Sequence, residues 1–293
     1  MKKKLLLTGA SGFLGYHLSR LAADYEVYAV YHTRAGDFSG ATWVNCNLTN
    51  YIDTGNLFDD IEPDLVIHAA AISDANYCQQ HEDAAMAVNV EASINLAGIC
   101  SDFQIPFVFT STDLVFDGTK GSYEETDAVN PLNAYGEQKV IAEREIHRIY
   151  PPALIARLPM LFGRPEASKA NYLNKLLSQL RNWEMAKLFV DEYRSAAGAR
   201  SVAKGLLQVA ERASGVLHIA GPERLSRYDF GVLVANHFGI DKGLLEACSQ
   251  KDVKMAAPRP ADVSMNIAKA VTLGYAPLTA DEELKLIAGN RYL

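Results

Sequence analysis

The chain has 293 residues, of which 49% are hydrophobic and 22% are charged. These proportions exclude a disordered chain, a collagen-like repeat and a coiled coil. The 28 basic and 35 acidic side chains leave a formal net charge of −7, which disfavours nucleic acid as a partner because a phosphate backbone carries the same sign. The length fits two domains or one large α/β unit with a smaller lobe.

The first residues predict a strand rather than a targeting signal. The segment from Met1 to Leu7 begins like a secretory signal, but its apolar run stops at Thr8, short of the ~7 to 15 residues that such a signal needs. No run reaches the ~18 apolar residues of a membrane-spanning helix. The four cysteines lack the spacing of a zinc site or a disulfide framework. We therefore expect a cytoplasmic protein with reduced thiols, no metal and no membrane partner.

Short apolar runs alternate with helical patterns over the first 160 residues, which predicts βαβ units and a parallel sheet. We expect strands at 4–8, 27–31, 42–45, 65–69, 107–111 and 153–157. The leucines Leu14, Leu18 and Leu21 recur at helical spacing, and a further helix is expected at 84–100. The fold class is therefore α/β, with a doubly wound parallel sheet.

The alternation breaks down after Pro159. We expect a helix at 167–183, an apolar segment at 187–190, a helix at 201–213, a strand at 216–219 and a helix at 226–238. This mixture predicts a small C-terminal substrate lobe. The expected domains are 1–160, and 161–293 with some segments returning to the first domain.

Three glycines follow the first strand and open the first helix, where a dinucleotide pyrophosphate meets a helix N-terminus. Gly9 would permit the tight turn, Gly12 would let the backbone approach the phosphates, and Gly15 would let helix and strand pack closely. The strand, the spacing and the helix together favour a dinucleotide site over an ordinary glycine-rich turn.

The end of the second strand carries a basic residue where dinucleotide folds usually place an acidic one. The segment after Val30 reads Tyr-His-Thr-Arg and ends in Arg34. A guanidinium at this position suits the 2′-phosphate of NADP. We therefore expect NADP(H) to be preferred over NAD(H), with a solvated loop cation as the alternative for Arg34.

A tyrosine and a lysine stand four residues apart on one face of a predicted helix. Asn133 could cap this helix, which presents Tyr135 and Lys139 together. We expect the ammonium to lower the pKa of the phenol, which would make it usable for proton transfer. The fifth strand ends beside Thr112, at the sheet edge where ligands bind.

These segments resemble the extended short-chain dehydrogenases/reductases. The turn TGASGFLG is similar to that superfamily's TGxxGxxG, and STDLVFDG at 111–118 resembles the dTDP-4-dehydrorhamnose reductases. Leu114 stands where that family has Tyr, and the second acid of the related sugar dehydratases is missing, which disfavours dehydration. The resemblance implies that Thr112, Tyr135 and Lys139 are catalytic.

Other segments extend the resemblance over most of the chain. HAAA at 68–71 and VNV at 88–90 resemble cofactor-lining and supporting segments, while DEYRS at 191–195 and PRP at 258–260 resemble parts of the substrate lobe. The expected cofactor-binding residues are Gly9, Ser11, Gly12, Phe13, Leu14, Gly15, Arg34, Ala69, Ala70, Tyr135 and Lys139.

The expected substrate-binding residues are Asp113, Arg194 and Arg259. A guanidinium fork fits phosphate oxygens, so the two arginines are candidates for a diphosphate clamp. A surface or interlobe ion pair is the alternative for each of them. The adjacent carboxylates at 191 and 192 are expected to be solvated rather than to bind a metal.

The resemblance implies an NADPH-dependent reductase of a nucleotide-activated 4-keto-6-deoxy sugar. One alternative is a non-catalytic NADP-binding subunit, because the regulatory subunit of methionine adenosyltransferase resembles the same reductases. A second alternative is a nucleotide-sugar epimerase. A homodimer is left open.

Overall fold

The computed structural model describes residues 1–36, 38–164 and 171–289. The strands in chain order are β1 (Lys3–Thr8), β2 (Tyr25–Tyr31), β3 (Ala41–Asn45), β4 (Leu65–His68), β5 (Phe107–Thr112), β6 (Leu154–Leu158), β7 (Leu161–Phe162), β8 (Ala186–Phe189), β9 (Tyr193–Arg194), β10 (Ala197–Gly198), β11 (Gly215–His218), β12 (Leu225–Ser226) and β13 (Leu245–Cys248). The α-helices are α1 (Phe13–Leu21), α2 (Tyr51–Ile61), α3 (Ala75–Gln80), α4 (Glu82–Met86), α5 (Ala92–Asp102), α6 (Ala134–Ile149), α7 (Tyr172–Arg181), α8 (Ala199–Val209), α9 (Arg227–Phe238), α10 (Ala268–Thr272) and α11 (Ala280–Ala288).

Seven strands form a parallel sheet in the order β11-β6-β5-β4-β1-β2-β3. Helices cover both faces, so β4, β5 and β6 are buried along their whole length. The strand order reverses between β1 and β4, and Thr8 at the end of β1 lies beside His68 at the end of β4. This reversal opens a crevice at the carboxyl ends of the strands, which is where doubly wound sheets bind ligands. The predicted fold class is confirmed.

The six strands predicted in the first 160 residues are present, with ends shifted by one or two residues. The prediction missed α2, which begins after Asn50. The Asn50 side chain accepts hydrogen bonds from the amides of Ile52 and Asp53, as a helix cap does. Leu57 and Phe58 then bury one face of this helix.

The helix predicted at 84–100 is confirmed as part of one helical run, Glu82–Asp102, and the prediction missed only the π-helical turn, Ala87–Glu91, that joins α4 to α5. The wider turn holds Asn89, whose Oδ1 accepts from the Ile72 amide at 2.8 Å and whose Nδ2 donates to Gln138 Oε1 at 2.8 Å. A local π turn of this kind often occurs at a functional site.

One described helical run, Glu82–Asp102, is long and apolar enough to span a membrane by length and composition alone. Half of it is buried inside the protein, where Leu96 and Ile99 pack in the core beneath the sheet. It therefore has the character of a core helix of a soluble fold.

The chain returns to the main sheet after residue 160. The strand predicted at 216–219 is β11, which pairs in parallel with β6 and places Val216 beside Ile155. The helix predicted at 201–213 is α8, which packs on α1. Later segments therefore extend the sheet and cover one of its faces.

A separate apolar cluster lies at the carboxyl edge of the sheet. Its buried residues come from α7, α9 and α11, together with β8 and β13, which pair in parallel. The helix predicted at 167–183 is α7, which Asn171 caps by accepting from the Asn174 amide at 2.9 Å. The part of that prediction at 167–170 lies outside the described residues.

Candidate active site

The glycine turn is shaped by close backbone contacts. Gly9 has φ +68°, and a Cβ there would lie 2.6 Å from the carbonyl group of Ala69. A Cβ on Gly15 would lie 2.2 Å from the Gly9 oxygen. The Gly12 amide donates to the Gly9 oxygen at 2.9 Å, directly before α1 begins. The turn thus brings the N-terminus of α1 to the ends of β1 and β4.

A groove of about 430 Å³ runs along this turn. It brings together several of the residues predicted to bind a cofactor: Gly9, Ser11, Gly12, Arg34, Ala69 and Ala70. The remaining turn residues have other surroundings, because the Phe13 ring lies 5.4 Å from the His17 ring and Leu14 packs on the main core. The groove therefore presents mainly backbone and small side chains, as a pyrophosphate site requires.

The groove also contains residues that the sequence reasoning missed. Asn47 and Thr49 follow β3 and line it, as do Ile72 and Val88. Asn47 and Thr49 come just after a parallel strand, and this position could have predicted them. The carboxyl ends of parallel strands share one edge of the sheet, where ligands bind.

Arg34 gives the groove its electrostatic character. It lies beyond the end of β2, and none of the described residues lining the groove is Asp or Glu. The Asn45 side chain donates to the His32 carbonyl at 2.6 Å and so holds the segment that leads to Arg34. The 2′-phosphate of NADP would therefore meet the Arg34 guanidinium here rather than a carboxylate.

Helix α6 is docked against the loop that follows β5. Asn133 caps it as predicted, because its Oδ1 accepts from the Gly136 amide at 3.0 Å. A Cβ on Gly136 would lie 2.3 Å from the Leu114 oxygen, so this glycine permits the close approach. The docking places Tyr135 near Thr112, whose hydroxyl acts to lower the pKa of the phenol.

Lys139 is a buried ammonium with only 1% of its surface exposed. Its Nζ donates to the Thr110 carbonyl at 2.9 Å and lies 4.4 Å from the centre of the Phe109 ring. Burial lowers the pKa of Lys139 to about 8, while the charge of Glu143 acts in the opposite direction. Lys139 is thus close to its deprotonation point near neutral pH.

The expected lowering of the Tyr135 pKa was wrong for this structure. Tyr135 is 7% exposed, and burial raises the pKa of its phenol, with a further contribution from Asp113. The Thr112 hydroxyl acts in the lowering direction but is the smaller effect. Desolvation is the dominant cause because the buried phenolate would lose its water shell. Tyr135 is therefore held as a protonated donor.

Asp113 follows Thr112 and is also buried. Its Oδ1 accepts a hydrogen bond from the Thr112 hydroxyl at 3.2 Å, and its Oδ2 lies 3.7 Å from Arg194 Nε. Burial raises the pKa of Asp113, while Arg194 acts in the lowering direction. A carboxyl group thus stands directly beside Thr112.

Arg194 belongs to a buried charge cluster rather than to an open surface. Its guanidinium lies 3.1 Å from Glu192 Oε1 and donates to the Tyr193 and Pro260 carbonyls. Arg227 approaches the same Glu192 oxygen at 2.8 Å. The geometry favours the ion-pair alternative for Arg194, because its donors are already engaged with protein groups.

Arg259 has weaker partners. It is half-buried and donates to the Ala257 carbonyl at 3.4 Å and to Asn76 Oδ1 at 3.3 Å. Of the adjacent carboxylates, Asp191 accepts from Ser249 and Gln250, whereas Glu192 serves the two arginines. Within the described ranges, no group of His, Cys, Asp and Glu could hold a metal ion.

Two buried polar groups support the strand ends. His68 lies 2.6 Å from Thr8 Oγ and 2.9 Å from Ser93 Oγ, and burial lowers its pKa to about 3. Glu143 pairs with Arg157 at 2.7 Å and accepts a hydrogen bond from Ser111. These contacts fix β1, β4, β5 and β6 relative to α5 and α6.

The parallel sheet, the glycine turn and the Thr-Tyr-Lys arrangement define an NAD(P)-dependent oxidoreductase of the extended short-chain dehydrogenase/reductase type. The chain belongs to the family described as the RmlD substrate binding domain, whose model matches residues 3–288. The predicted family resemblance is confirmed.

Curated relatives cover nearly the whole chain. The chain is 31% identical over 95% of its length to the probable low-salt glycan biosynthesis reductase Agl14 of Haloferax volcanii, 95% of which is covered. It is 29% identical to the dTDP-4-dehydrorhamnose reductase of Aggregatibacter actinomycetemcomitans, with 91% of each chain covered. It is also 28% identical to the methionine adenosyltransferase 2 subunit beta of Danio rerio, over 93% of this chain and 85% of that one.

Solved structures show the same fold. A hypothetical dTDP-4-dehydrorhamnose reductase from Sulfolobus tokodaii superposes with a TM-score of 0.84 at 30% identity, covering 96% of this chain and 98% of that one. The dTDP-4-dehydrorhamnose reductase of Bacillus anthracis, solved in complex with NADP, gives a TM-score of 0.88 at 20% identity, over 99% and 100% of the two chains.

Proposed function

We propose that the protein is an NADPH-dependent reductase that converts the keto group of a nucleotide-activated 4-keto-6-deoxy sugar into a hydroxyl. The observation that carries the proposal is the burial of Thr112, Tyr135 and Lys139 at β5, where Lys139 Nζ donates to the Thr110 carbonyl at 2.9 Å, in the sheet whose first strand leads into the glycine turn. The similarity to a dTDP-4-dehydrorhamnose reductase supports the substrate class.

The groove residues suit the cofactor. A Cβ would fill the space at Gly9 and Gly15, and the amides at the start of α1 are oriented to meet a pyrophosphate. Arg34 supports a preference for NADP(H), because it would pair with the 2′-phosphate. Bound NADPH supplies the hydride for the reduction.

The protein's own groups supply the proton and its setting. Tyr135, whose raised pKa keeps the phenol protonated, donates its proton to the oxygen that gains charge as the carbonyl is reduced. The Thr112 hydroxyl hydrogen-bonds the same oxygen. Lys139 holds the cofactor ribose and adds positive charge at the site.

The remaining features agree with a small-molecule enzyme. The fold is that of a soluble protein, and we propose a cytoplasmic location without nucleic acid or membrane partners. Arg259, with its weak protein contacts, is the better of the two predicted arginines for the substrate diphosphate. Asp113 contacts the sugar end of the substrate. A homodimer is compatible with this function.

The test is a panel of 4-keto nucleotide sugars followed by NADPH absorbance, with cofactor titrations of NADP(H) against NAD(H). We expect Tyr135→Phe to lower kcat by about 100-fold or more, the usual share of a positioned acid, while NADPH binding is kept. The matched control is Tyr28→Phe, because the Tyr28 hydroxyl contacts Glu26 on the protein surface. No turnover on any member of the panel would contradict the proposal.

A second candidate is a regulatory subunit that binds NADP without turnover. The similarity to methionine adenosyltransferase 2 subunit beta favours it, because 93% of this chain is covered. The discriminating measurement mixes the purified chain with a purified methionine adenosyltransferase catalytic subunit. Stoichiometric association with altered kinetics of that enzyme, and silence on the sugar panel, would favour this candidate.

A further inference from the structure

Two side chains of β3 hold the chain on either side of Arg34. Trp43 and Asn45 stand two residues apart on this strand, so their side chains leave the same face of it. Asn45 Nδ2 donates to the His32 carbonyl at 2.6 Å, two residues before Arg34. Trp43 makes its contacts after Arg34. The arginine therefore lies between two points at which the chain is attached to β3.

Trp43 packs on the backbone that follows Arg34. A Cβ on Gly36 would lie 2.6 Å from Cζ2 of the Trp43 ring, so the glycine lets the ring approach the backbone closely. The indole Nε1 donates to the Phe38 carbonyl at 3.0 Å. The Tyr31 ring lies edge-on to the indole, with 6.3 Å between the ring centres. One side chain thus joins the end of β2 to two positions beyond Arg34.

Phe38 connects the same segment to helix α1. The Arg20 guanidinium lies 4.8 Å from the centre of the Phe38 ring and 3.6 Å from the centre of the Tyr16 ring. A guanidinium over an aromatic face is attracted by that ring. The chain after Arg34 is therefore attached both to β3 and to the helix that begins at the glycine turn.

These attachments matter because Arg34 lines the groove. Trp43 is not among the described residues that line it, so any effect of Trp43 on a ligand there is indirect. A mobile arginine loses conformational freedom when it binds a phosphate, and this loss weakens binding. A segment that is already held in place avoids most of that cost.

We propose that Trp43 is a positioning residue that sets the preference for NADP(H) over NAD(H) by holding Arg34 at the groove. This inference rests on the proposed role of Arg34 in cofactor binding. The two cofactors differ at the adenosine ribose, where only NADPH carries the 2′-phosphate. A residue that acts through Arg34 should therefore change the affinity for NADPH and leave that for NADH as it is.

The experiment measures the Kd of the purified chain for NADPH and for NADH by isothermal titration calorimetry, without any sugar. Trp43→Leu should raise the Kd for NADPH by about tenfold, the size of one lost hydrogen bond to a charged group, and leave the Kd for NADH unchanged. Trp43→Phe keeps a ring on Gly36 and should retain part of the NADPH affinity. The matched control is Trp183→Leu, because that tryptophan is 77% exposed, and it should change neither Kd.

A double-mutant cycle tests whether Trp43 acts through Arg34. Arg34→Ala removes the guanidinium, so adding Trp43→Leu to it should weaken NADPH binding no further. If the two losses multiply, Trp43 acts on another part of the site and the inference is overturned. Equal weakening of NADPH and NADH by Trp43→Leu would also overturn it and leave Trp43 with a structural role alone.

Gly36→Ala tests the same contact from the other side and replaces Trp43→Leu if that variant does not fold. The added methyl group would displace the Trp43 ring, so NADPH binding should again weaken while NADH binding is kept. The control is Gly55→Ala, which has nothing within 4 Å of the added Cβ and should change neither Kd. Loss of both affinities in Gly36→Ala, or of neither, would contradict the inference.

These binding measurements separate the inference from the proposed reaction. If the chain turns over no sugar but shows the selective loss of NADPH affinity, the reductase function fails and the role of Trp43 stands. If the wild type binds NADPH and NADH equally well, the role of Trp43 is refuted, and the sugar panel still decides the reductase function.

Discussion

The two sides of the site consist of different types of residue. The groove beside α1 is lined largely by small residues such as Gly9, Gly12 and Ala70, and Arg34 also lines it. The opposite side, around Asp113, consists of buried charged groups that neutralise one another. Small residues on the first side leave space for a ligand. The stability of the second side depends on the balance of its buried charges. Substitutions should therefore affect the two sides in different ways.

The largest loss of free energy of unfolding should come from removing one charge from the charged side. Glu192→Gln would leave the buried guanidinium groups of Arg194 and Arg227 without their shared carboxylate, and breaking a buried pair costs about 3 to 5 kcal/mol. Urea unfolding measures the loss. The control is Glu246→Gln, which removes the exposed partner of Lys187 and should change the free energy of unfolding by less than about 1 kcal/mol. Equal effects of the two substitutions would contradict the difference between the two sides.

The next effect is a pH dependence of the free energy of unfolding that comes from the buried Lys139. Burial lowers the pKa of Lys139 from its ordinary value of 10.5 to about 8, so the unfolded chain binds more protons between these values and stability rises with pH. Between about pH 8 and about pH 10 the gain should be about 2 to 3 kcal/mol. The measurement is urea unfolding across this range, as the difference between the wild type and Lys139→Met, which cancels the other titrating groups. A difference that is flat or falls with pH would show that Lys139 is not destabilised by its burial.

A loss of free energy of unfolding no larger than the pH effect should come from adding one methyl group to the groove side. Alanine at position 9 would have a left-handed backbone, which costs about 1 to 2 kcal/mol. Its Cβ would also lie 2.6 Å from the Ala69 backbone. The matched control is Gly239→Ala, which has φ +65° but nothing within 4 Å of the added Cβ. We expect a loss of about 2 to 3 kcal/mol for Gly9→Ala and about 1 kcal/mol for Gly239→Ala in chemical unfolding. Only the first should also weaken NADP(H) binding.

The comparison also explains what the sequence could predict. The groove side depends on local rules, because the spacing of Gly9, Gly12 and Gly15 after a strand determines a turn, and the i, i+4 spacing of Tyr135 and Lys139 determines a shared helix face. These features were therefore predictable from short segments.

The charged side was not predictable in the same way. The burial of Arg194 follows from contacts with residues far along the chain, such as Pro260. The raised pKa of Tyr135 follows from desolvation, which no local spacing reveals. The π-helical turn at Ala87–Glu91 was missed for the same reason, since Asn89 is held by Ile72 and Gln138 from other elements.

The return of β11 to the edge of the main sheet has a consequence for exchanging parts between related enzymes. β11 occupies the outer side of β6, and α8 lies on α1, although both follow the first segments of the lobe. In a chain cut after residue 160, β6 would be an exposed edge strand. Its unpaired backbone groups could then pair with another chain. Substrate specificity should therefore be transplanted by grafting loops at the carboxyl edge, with the sheet left intact, and not by swapping the C-terminal half as a module.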